Sequence, residues 1–452
     1  MSCHAPLADL VAVLQATPVN VSTAMLAQMA AGITTDTRRL QAGEVFLALR
    51  GETFDGHDFV ETAMQAGAIA AIVDPQFTPA QPFPVLQVAD TLAAYQAIAR
   101  WWRQQFTIPV IAVTGSVGKT TTKELIAAVL SLQGNILKSQ ANHNNEIGVP
   151  KTLLELGTEH DYAIVEMGMR GRGEIALLSQ IAQPEIAVIT NVGTAHIGRL
   201  GSEAAIAEAK CELLAEMPAA STAILNHDNS LLLHTANTVW QGKTITFGLE
   251  GGNIHGKLIN PETLVVDGME FPLPLPGRHN ALNYLAALAV AKVLGMDWSL
   301  LQSGLTVTLP AGRAKKLAFP DKDVVILDET YNAGLESMLA ALHLLAQTPG
   351  QRRIAVLGTM KELGDRAAEF HHQVGATVSE LHLDHLLVLA ESPEAKAIAT
   401  GAAPLAAECF TSHQEVIDRL MTLIQPGDRL LFKASRAVGL DQVVDQLNQR
   451  LS

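Results

Sequence analysis

The segment Thr114-Gly115-Ser116-Val117-Gly118-Lys119-Thr120-Thr121 concentrates residues that could do phosphate chemistry. Its glycines free backbone N–H groups to close around phosphate oxygens, and a helix starting at the lysine adds the positive end of its dipole. Lys119 can neutralise the β- and γ-phosphates of a nucleoside triphosphate, and the Thr120 hydroxyl can ligate Mg²⁺. The usual GxxxxGK[ST] spacing places glycine at position 113, where Val113 stands, so the loop is a shorter GxxGKT. An apolar run at 108–113 precedes it and a helical pattern at 119–132 follows. This strand–turn–helix context predicts ATP binding through residues 114–121. By itself it leaves kinase, GTPase, motor and ligase open.

Further groups follow. Asn142, Asn144 and Asn145 lie in a Gly/Pro-containing segment, 142–150, that by itself reads as a surface loop. Glu166 ends the apolar run 162–167. Strand C-termini in open parallel sheets face the ligand crevice, so a carboxylate there can reach a metal ion. The run 186–192 brings His196 to the same edge. Lys210, within the helical stretch 203–217, reads as a helix-surface lysine. His279, Asn280 and Asn283 open an Ala-rich helical stretch, 280–294, with the two asparagines on one face. Lys433 and Arg436 suit an anion, or a solvated basic cluster after a strand.

The elements that must position these groups alternate. Short apolar runs at 108–113, 162–167, 186–192, 324–327, 354–357, 386–389 and 430–432 are predicted strands. Most are followed by helical stretches, at 119–132, 175–181, 203–217, 338–347, 367–381 and 440–451. That alternation predicts parallel α/β sheets. Residues 243–275, with turn signals at Gly251-Gly252, Asn260-Pro261 and Asp267-Gly268, are predicted β-hairpins. At about 150 residues per domain, 452 residues suggest three domains. Seams near 106 and 311 give domains 1–106, 107–311 and 312–452.

Together the phosphate loop, Asn144-Asn145, Glu166 and His196, in that order, resemble the Mur ligase family, whose short GTxGK[ST] loop also accounts for Val113. The resemblance covers nearly the whole chain. It implies an α/β protein of three domains: an N-terminal UDP-sugar-binding α/β domain, a central P-loop parallel sheet with a β-hairpin extension, and a C-terminal Rossmann-like domain. It implies Lys119, Glu166, His196 and Lys210 as the catalytic set, with Thr120, Glu166, His196 and a carbamylated Lys210 holding two Mg²⁺ ions. Asn145, His279, Asn280, Asn283, Arg313 and Asp328 would join the loop in binding ATP. Thr35, Asp36, Thr37, Arg38, Asn142 and Asn144 would bind the UDP substrate. Tyr331, Asn332, Lys433, Ser435 and Arg436 would serve the third domain and a dipeptide. The segments Met360-Lys361-Glu362-Leu363-Gly364 and Lys433-Ala434-Ser435-Arg436 resemble those of the family's last ligase. That member joins D-alanyl-D-alanine to UDP-N-acetylmuramoyl-tripeptide through an acyl phosphate. Gly334, where the family pattern has Asn, and Ala434, where it has Gly, depart from it.

A folylpolyglutamate synthetase-like ligase is the close alternative, against which residues 1–106 speak; an ATP-binding switch or scaffold without ligation is the distant one. The net charge of −14, with hydrophobic residues at 48% and charged residues at 17%, excludes a disordered chain and argues against a nucleic-acid polymer as partner. Three scattered cysteines, no charged n-region before Arg38 and apolar runs too short to span a bilayer lead us to expect a soluble cytoplasmic protein, and a monomer is the separate expectation for its assembly.

Overall fold

In the computed structural model, which describes residues 3–78 and 81–452, three larger sheets follow one another along the chain. The first has strands β1 (Thr17–Val19), β2 (Ile33–Thr34), β3 (Val45–Leu47), β4 (Ala70–Val73) and β5 (Val85–Gln87). Their order is β1-β5-β4-β3-β2, parallel except for β1 at the edge.

Helix α1 (Thr91–Arg103) leads out of this sheet, its first turn capped by the Asp90 carboxylate, which accepts from Ala93 N at 2.9 Å. Its last residue, Arg103, is buried. Nε donates to Ala182 O at 3.1 Å, Nη1 to Phe106 O at 2.8 Å and Nη2 to Glu185 Oε1 at 2.6 Å. Glu185 Oε2 in turn accepts from Val110 N at 2.7 Å, at the start of the next strand. One guanidinium thus joins the end of the first unit to the beginning of the second.

The central sheet holds β6 (Val110–Thr114), β7 (Ile136–Lys138), β8 (Tyr162–Glu166), β9 (Ile186–Ile189), β10 (Thr222–Asn226), β11 (Lys243–Gly248), β12 (Ile254–Asn260), β13 (Thr263–Val266) and β14 (Met269–Pro272). Its order is β14-β13-β12-β11-β10-β9-β6-β8-β7. Residues 110–113 are fully buried, as expected of a parallel strand covered on both faces. After β6 the chain builds β7 and β8 on one side, then crosses to β9 and β10 on the other. Strand order therefore reverses at β6, and a crevice for ligand opens beyond its C-terminal end.

On one face α2 (Lys119–Leu130) packs with α5 (Arg278–Val293); between them in sequence lie α3 (Ile197–Leu200) and α4 (Glu203–Ala215). Nearly every residue from Asn280 to Ala291 is buried, so α5 has no solvent face to display a helical period. The hairpin expectation for 243–275 is corrected at its start. β11 pairs in parallel with β10 and with the first residues of β12, and only β12–β13 and β13–β14 are antiparallel. The Gly251-Gly252 turn re-enters the sheet in the same direction instead of reversing it.

The third sheet comprises β15 (Lys315–Phe319), β16 (Val324–Asp328), β17 (Arg352–Gly358), β18 (His385–Leu389), β19 (Ala407–Phe410) and β20 (Asp428–Lys433), in the order β15-β16-β20-β17-β18-β19. All pairs are parallel except β15 with β16. Its first helix, α6 (Leu335–Gln347), begins three residues before the predicted start at 338. β15 carries two lysines and is largely exposed, so it lacked the apolar run that marks the buried strands. Among the described residues, no helix is long and apolar enough to cross a membrane.

Arg103→Ala removes several charge-assisted hydrogen bonds, each worth roughly 1.5–3 kcal/mol, and leaves Glu185 partnered only by Val110 N. The expected outcome is a melting temperature lowered by several degrees, read by differential scanning calorimetry.

Candidate active site

Residues 115–118 turn from β6 into α2 in very little space. A Cβ on Gly115 would lie 1.9 Å from Thr190 Oγ1, and one on Gly118 (φ +83°) would lie 2.5 Å from Asn283 Oδ1. Glycine is therefore required at both positions, for close approach at the first and for backbone conformation as well at the second. The loop is held from β9's continuation. Val117 N donates to Asn191 Oδ1 at 3.0 Å, Thr190 Oγ1 donates to Val117 O at 2.6 Å, and Gly193 N donates to Ser116 Oγ at 2.9 Å. Asn283, on α5, accepts from Thr122 Oγ1 at 3.1 Å and also donates to Asn280 Oδ1 at 3.4 Å. Lys119 Nζ folds back on its own loop, 2.8 Å from Gly115 O. Burial lowers its pKa, partly opposed by Glu166, while the charge of Arg313 lowers it further.

Glu166 closes β8 and is buried. Oε1 accepts from Asn144 Nδ2 at 2.9 Å, and the backbone N donates to Ser139 Oγ at 3.0 Å. Oε2 is buried without a hydrogen-bond partner, and Lys123 Nζ stands 3.8 Å from it. Lys123 itself is fully buried, donating to Ser139 O at 2.7 Å and lying 3.1 Å from Glu124 Oε1. Sequence reading passed over Lys123, because a lysine one helical turn after Lys119 has no pattern that separates it from a surface residue.

A cavity of about 920 Å³ opens over this edge. From the candidate set it is lined by residues 116–121, Asn142, Asn144, Asn145, Glu166, His196, His279, Asn280 and Asn283. The third sheet adds Arg313, Tyr331, Asn332, Lys433, Ser435 and Arg436. The Arg313 guanidinium lies 3.9 Å over the Tyr331 ring, with Nε buried and unpartnered. Lys433 Nζ donates to Asn332 O at 3.0 Å. Burial lowers its pKa against the pull of Glu329, and burial raises that of Glu329 against the pull of Lys433 and Arg313. The His279 imidazole is pushed down to about 4 by burial, with the Lys433 charge adding to the effect. Arg436 also pairs with Asp441 at 2.9 Å on the outside.

Other candidates stand apart from the cavity wall. Thr114 donates to Met167 O at 2.9 Å and Gly115 faces Thr190, so both shape the loop from below. Asp328 is buried, accepting from Thr330 Oγ1 at 2.6 Å. Lys210 is not the surface residue its helical setting suggested; it is 2% exposed on α4. Burial and the charge of Lys119 hold its ammonium well below the ordinary lysine range, with Glu336 acting in the opposite direction.

Thr35, Asp36, Thr37 and Arg38 also lie outside the cavity. Arg38 makes a bidentate pair with Asp36, both contacts at 2.8 Å, which holds the Asp36 carboxyl down at about 2. Burial lowers the pKa of His143 in the Asn-rich loop, and the charges of Lys151, Arg39 and Lys123 lower it further. Glu329, Glu336 and Glu362 line the cavity but had no assigned role from sequence. Glu336 had no signal, since an acid in a helix's first turn is ordinary.

A P-loop crevice at a strand-order switch, covered by a second parallel sheet that supplies Arg313 and Lys433, defines an ATP-dependent ligase architecture. The chain belongs to the Mur ligase family. Residues 30–100 match the family model described as Mur ligase family, catalytic domain, residues 113–291 the Mur ligase middle domain, and residues 312–436 the Mur ligase, glutamate ligase domain. The UDP-N-acetylmuramoyl-tripeptide--D-alanyl-D-alanine ligase of Synechocystis sp. is 63% identical over 92% of this chain and 91% of its own. A crystal structure of MurF from Acinetobacter baumannii superposes with TM-score 0.88 at 32% identity, covering 99% of each chain. MurF ligase from Thermotoga maritima in complex with ADP gives TM-score 0.83 at 30% identity, over 93% of this chain and 97% of that one.

Gly115→Ala cannot be accommodated against Thr190 without displacing the loop, so ATP affinity measured by calorimetry should fall by at least tenfold, about 1.4 kcal/mol. The His279 imidazole resists protonation in the fold down to about pH 4, whereas the unfolded chain takes up that proton near pH 6.5. Stability is therefore fully present above pH 6.5 and is lost as pH falls toward 4. The melting temperature of His279→Gln should fall less steeply than that of the wild type over this interval.

Proposed function

We propose that this chain catalyses ATP-dependent ligation of D-alanyl-D-alanine to UDP-N-acetylmuramoyl-tripeptide. The products are UDP-N-acetylmuramoyl-pentapeptide, ADP and phosphate, and the reaction completes the cytoplasmic assembly of the peptidoglycan precursor. The near-full-length identity to the Synechocystis ligase carries this reading. Three units divide the work: residues 1–106 hold the UDP end, 107–311 the nucleotide, and 312–452 the dipeptide. The enzyme acts as a cytoplasmic monomer.

A carboxylate is a poor acyl electrophile, so the tripeptide's terminal carboxylate first attacks the γ-phosphorus of ATP. ADP leaves, and the carboxyl is carried as an acyl phosphate. The amino group of D-alanyl-D-alanine adds to that carbonyl, and the tetrahedral intermediate loses phosphate and a proton to give the amide. Phosphoryl transfer depends on positioning and charge neutralisation more than on covalent help. Lys119 and the loop N–H groups are placed for the phosphates, and Arg313 and Lys433 bring positive charge from the opposite wall. Asn280, Asn283 and His279 border the nucleotide side. Seating of the third unit over the crevice limits loss of the acyl phosphate to water.

Among the described residues, no group of three or more His, Cys, Asp or Glu side chains is arranged to hold a metal alone. Glu166 Oε2, buried with no hydrogen bond and faced by Lys123 at 3.8 Å, and the buried Thr120 fit a hard cation that draws its other ligands from phosphate and water. Mg²⁺ held by Thr120, Glu166 and His196, with a second ion at a carbamylated Lys210, would neutralise charge on the transferring phosphoryl group. Burial favours the neutral Lys210 amine, the form that combines with carbon dioxide.

Phosphate release measured by a coupled assay should require both UDP-N-acetylmuramoyl-tripeptide and D-alanyl-D-alanine. Release indifferent to the two substrates would sink the reading in favour of an ATP-binding switch. Wild-type turnover should rise with added bicarbonate, and Lys210→Ala should lose at least tenfold in kcat with no bicarbonate response. Full activity of that variant at every bicarbonate concentration removes the carbamate.

A further inference from the structure

The segment 190–194, which continues β9, frames the phosphate loop. Thr190 O accepts from Asn226 Nδ2 at 2.8 Å and Val192 O from Asn229 Nδ2 at 2.7 Å, at and just after the end of β10. On the loop side, Ser116 N donates to Asn191 O at 3.1 Å and Gly193 N donates to Ser116 Oγ at 2.9 Å. These stand beside the contacts of Thr190 and Asn191 with Val117. Residues 190–193 are thus held by the central unit on both sides.

The next amide is held from elsewhere. Thr194 is buried, and its N–H donates at 2.5 Å to Oε1 of Glu336, in the first turn of α6 in the third unit. A buried amide requires an acceptor, and a charged one makes the stronger bond. Gly193 makes room for this acceptor. A Cβ at 193 would lie 2.4 Å from Glu336 Oε1 and 2.6 Å from its carboxyl carbon, and the Glu336 side chain supplies all three of its nearest atoms. Gly193 is not among the glycines at positive φ, so the carboxylate and not the backbone conformation demands glycine there.

The third unit meets the same stretch again a few residues on. Gly198 N donates to Glu362 O at 3.1 Å, and a Cβ on Gly198 would lie 2.6 Å from Gly364 N. His196 (φ 66°) and Glu362 (φ 63°) both take left-handed backbone at this contact. It holds the two units together independently of Glu336.

We propose that Glu336 is a positioning residue that couples seating of the third unit to the shape of the phosphate loop, acting through Thr194 and Gly193 on Ser116. The carboxylate fixes Thr194 N, the adjoining Gly193 N is thereby aimed at Ser116 Oγ, and Ser116 carries the effect into the loop. The coupling runs both ways: a nucleotide that orders the loop favours the seated third unit, and the seated unit raises the loop's affinity for nucleotide. The inference rests on the nucleotide reading of the loop for its affinity measurement but not for its exchange measurement.

Hydrogen exchange of the full-length, nucleotide-free protein, followed by mass spectrometry, reads the frame directly. In Glu336→Ala, peptides covering 114–118 and 190–194 should exchange faster by about threefold or more. Glu336→Gln, whose amide oxygen can accept from Thr194 N, should exchange as the wild type does. ADP affinity measured by calorimetry should fall about 5–30-fold in Glu336→Ala and stay within about threefold in Glu336→Gln. Gly193→Ala, whose methyl displaces the carboxylate, should lose as much as Glu336→Ala. The double variant should lose no more than either alone, because Glu336→Ala removes the atoms that the methyl would meet. Glu203, 3.9 Å from Arg366 across the same interface, provides the control, and Glu203→Gln should change neither readout. A Glu336→Ala protein that keeps either wild-type exchange or wild-type ADP affinity overturns the proposal. So do additive losses in the double variant, or an equal loss in Glu203→Gln. A wild type that binds no ADP defeats the nucleotide reading, while exchange still decides the role of Glu336.

Discussion

Everything at the nucleotide edge depends on how closely the backbone of residues 115–118 approaches its neighbours. Thr190 and Asn283 stand where side chains at 115 and 118 would go, so the loop fits its frame only as glycine. That fit fixes the start of α2, and α2 carries Lys119, Thr120 and Lys123. The same Asn283 reaches back to Asn280, so the face of α5 presented to the cavity is set by the contact that limits the loop. Parallel strands buried on both faces make the frame stiff, because β6 cannot shift without disturbing β8 and β9 together.

A second economy is electrostatic. The net charge of −14 gives no hint of a site for anionic ligands. Positive charge is instead gathered locally, at the buried Lys123 and Lys433 and the half-buried Lys119 and Arg313. Buried ammonium groups far from water are expensive unless paired. Lys123 lies 3.1 Å from Glu124 and 3.8 Å from Glu166, and Lys433 donates to the Asn332 carbonyl with the charge of Glu329 favouring its protonated form, which offsets that cost; Lys433 lines the cavity.

The third unit does more than cover the crevice. Glu336 and Glu362 both reach the segment 193–198 of the central unit, and one of them touches His196 directly. A residue whose sequence context is the central sheet thus has its environment completed by a loop more than 160 positions later. Strained backbone at both ends of that contact marks it as built for geometry, since nothing in local folding favours it.

Much was legible in the chain because it was local. The phosphate loop needs only its own glycines, lysine and threonine between a strand and a helix, and Glu166 and His196 could be placed by counting from apolar runs. Buried parallel strands announce themselves as continuous apolar stretches, whereas the exposed edge strand Lys315–Phe319 did not. Segment 243–248 was read as hairpin because turn residues look alike whether the chain reverses or rejoins its sheet in parallel. Lys123 and Glu336, the burial of Lys210 and the partner of Glu362 were beyond reach for one reason. Burial of a charged helix residue, or the partner of a loop carboxylate, is set by packing between segments far apart in sequence. The sequence by itself determined the elements, the phosphate loop and the strand-end donors, which follow from local spacing. Only the tertiary structure decided which charges are desolvated and which carboxylate meets His196, because both depend on how separate sheets come together.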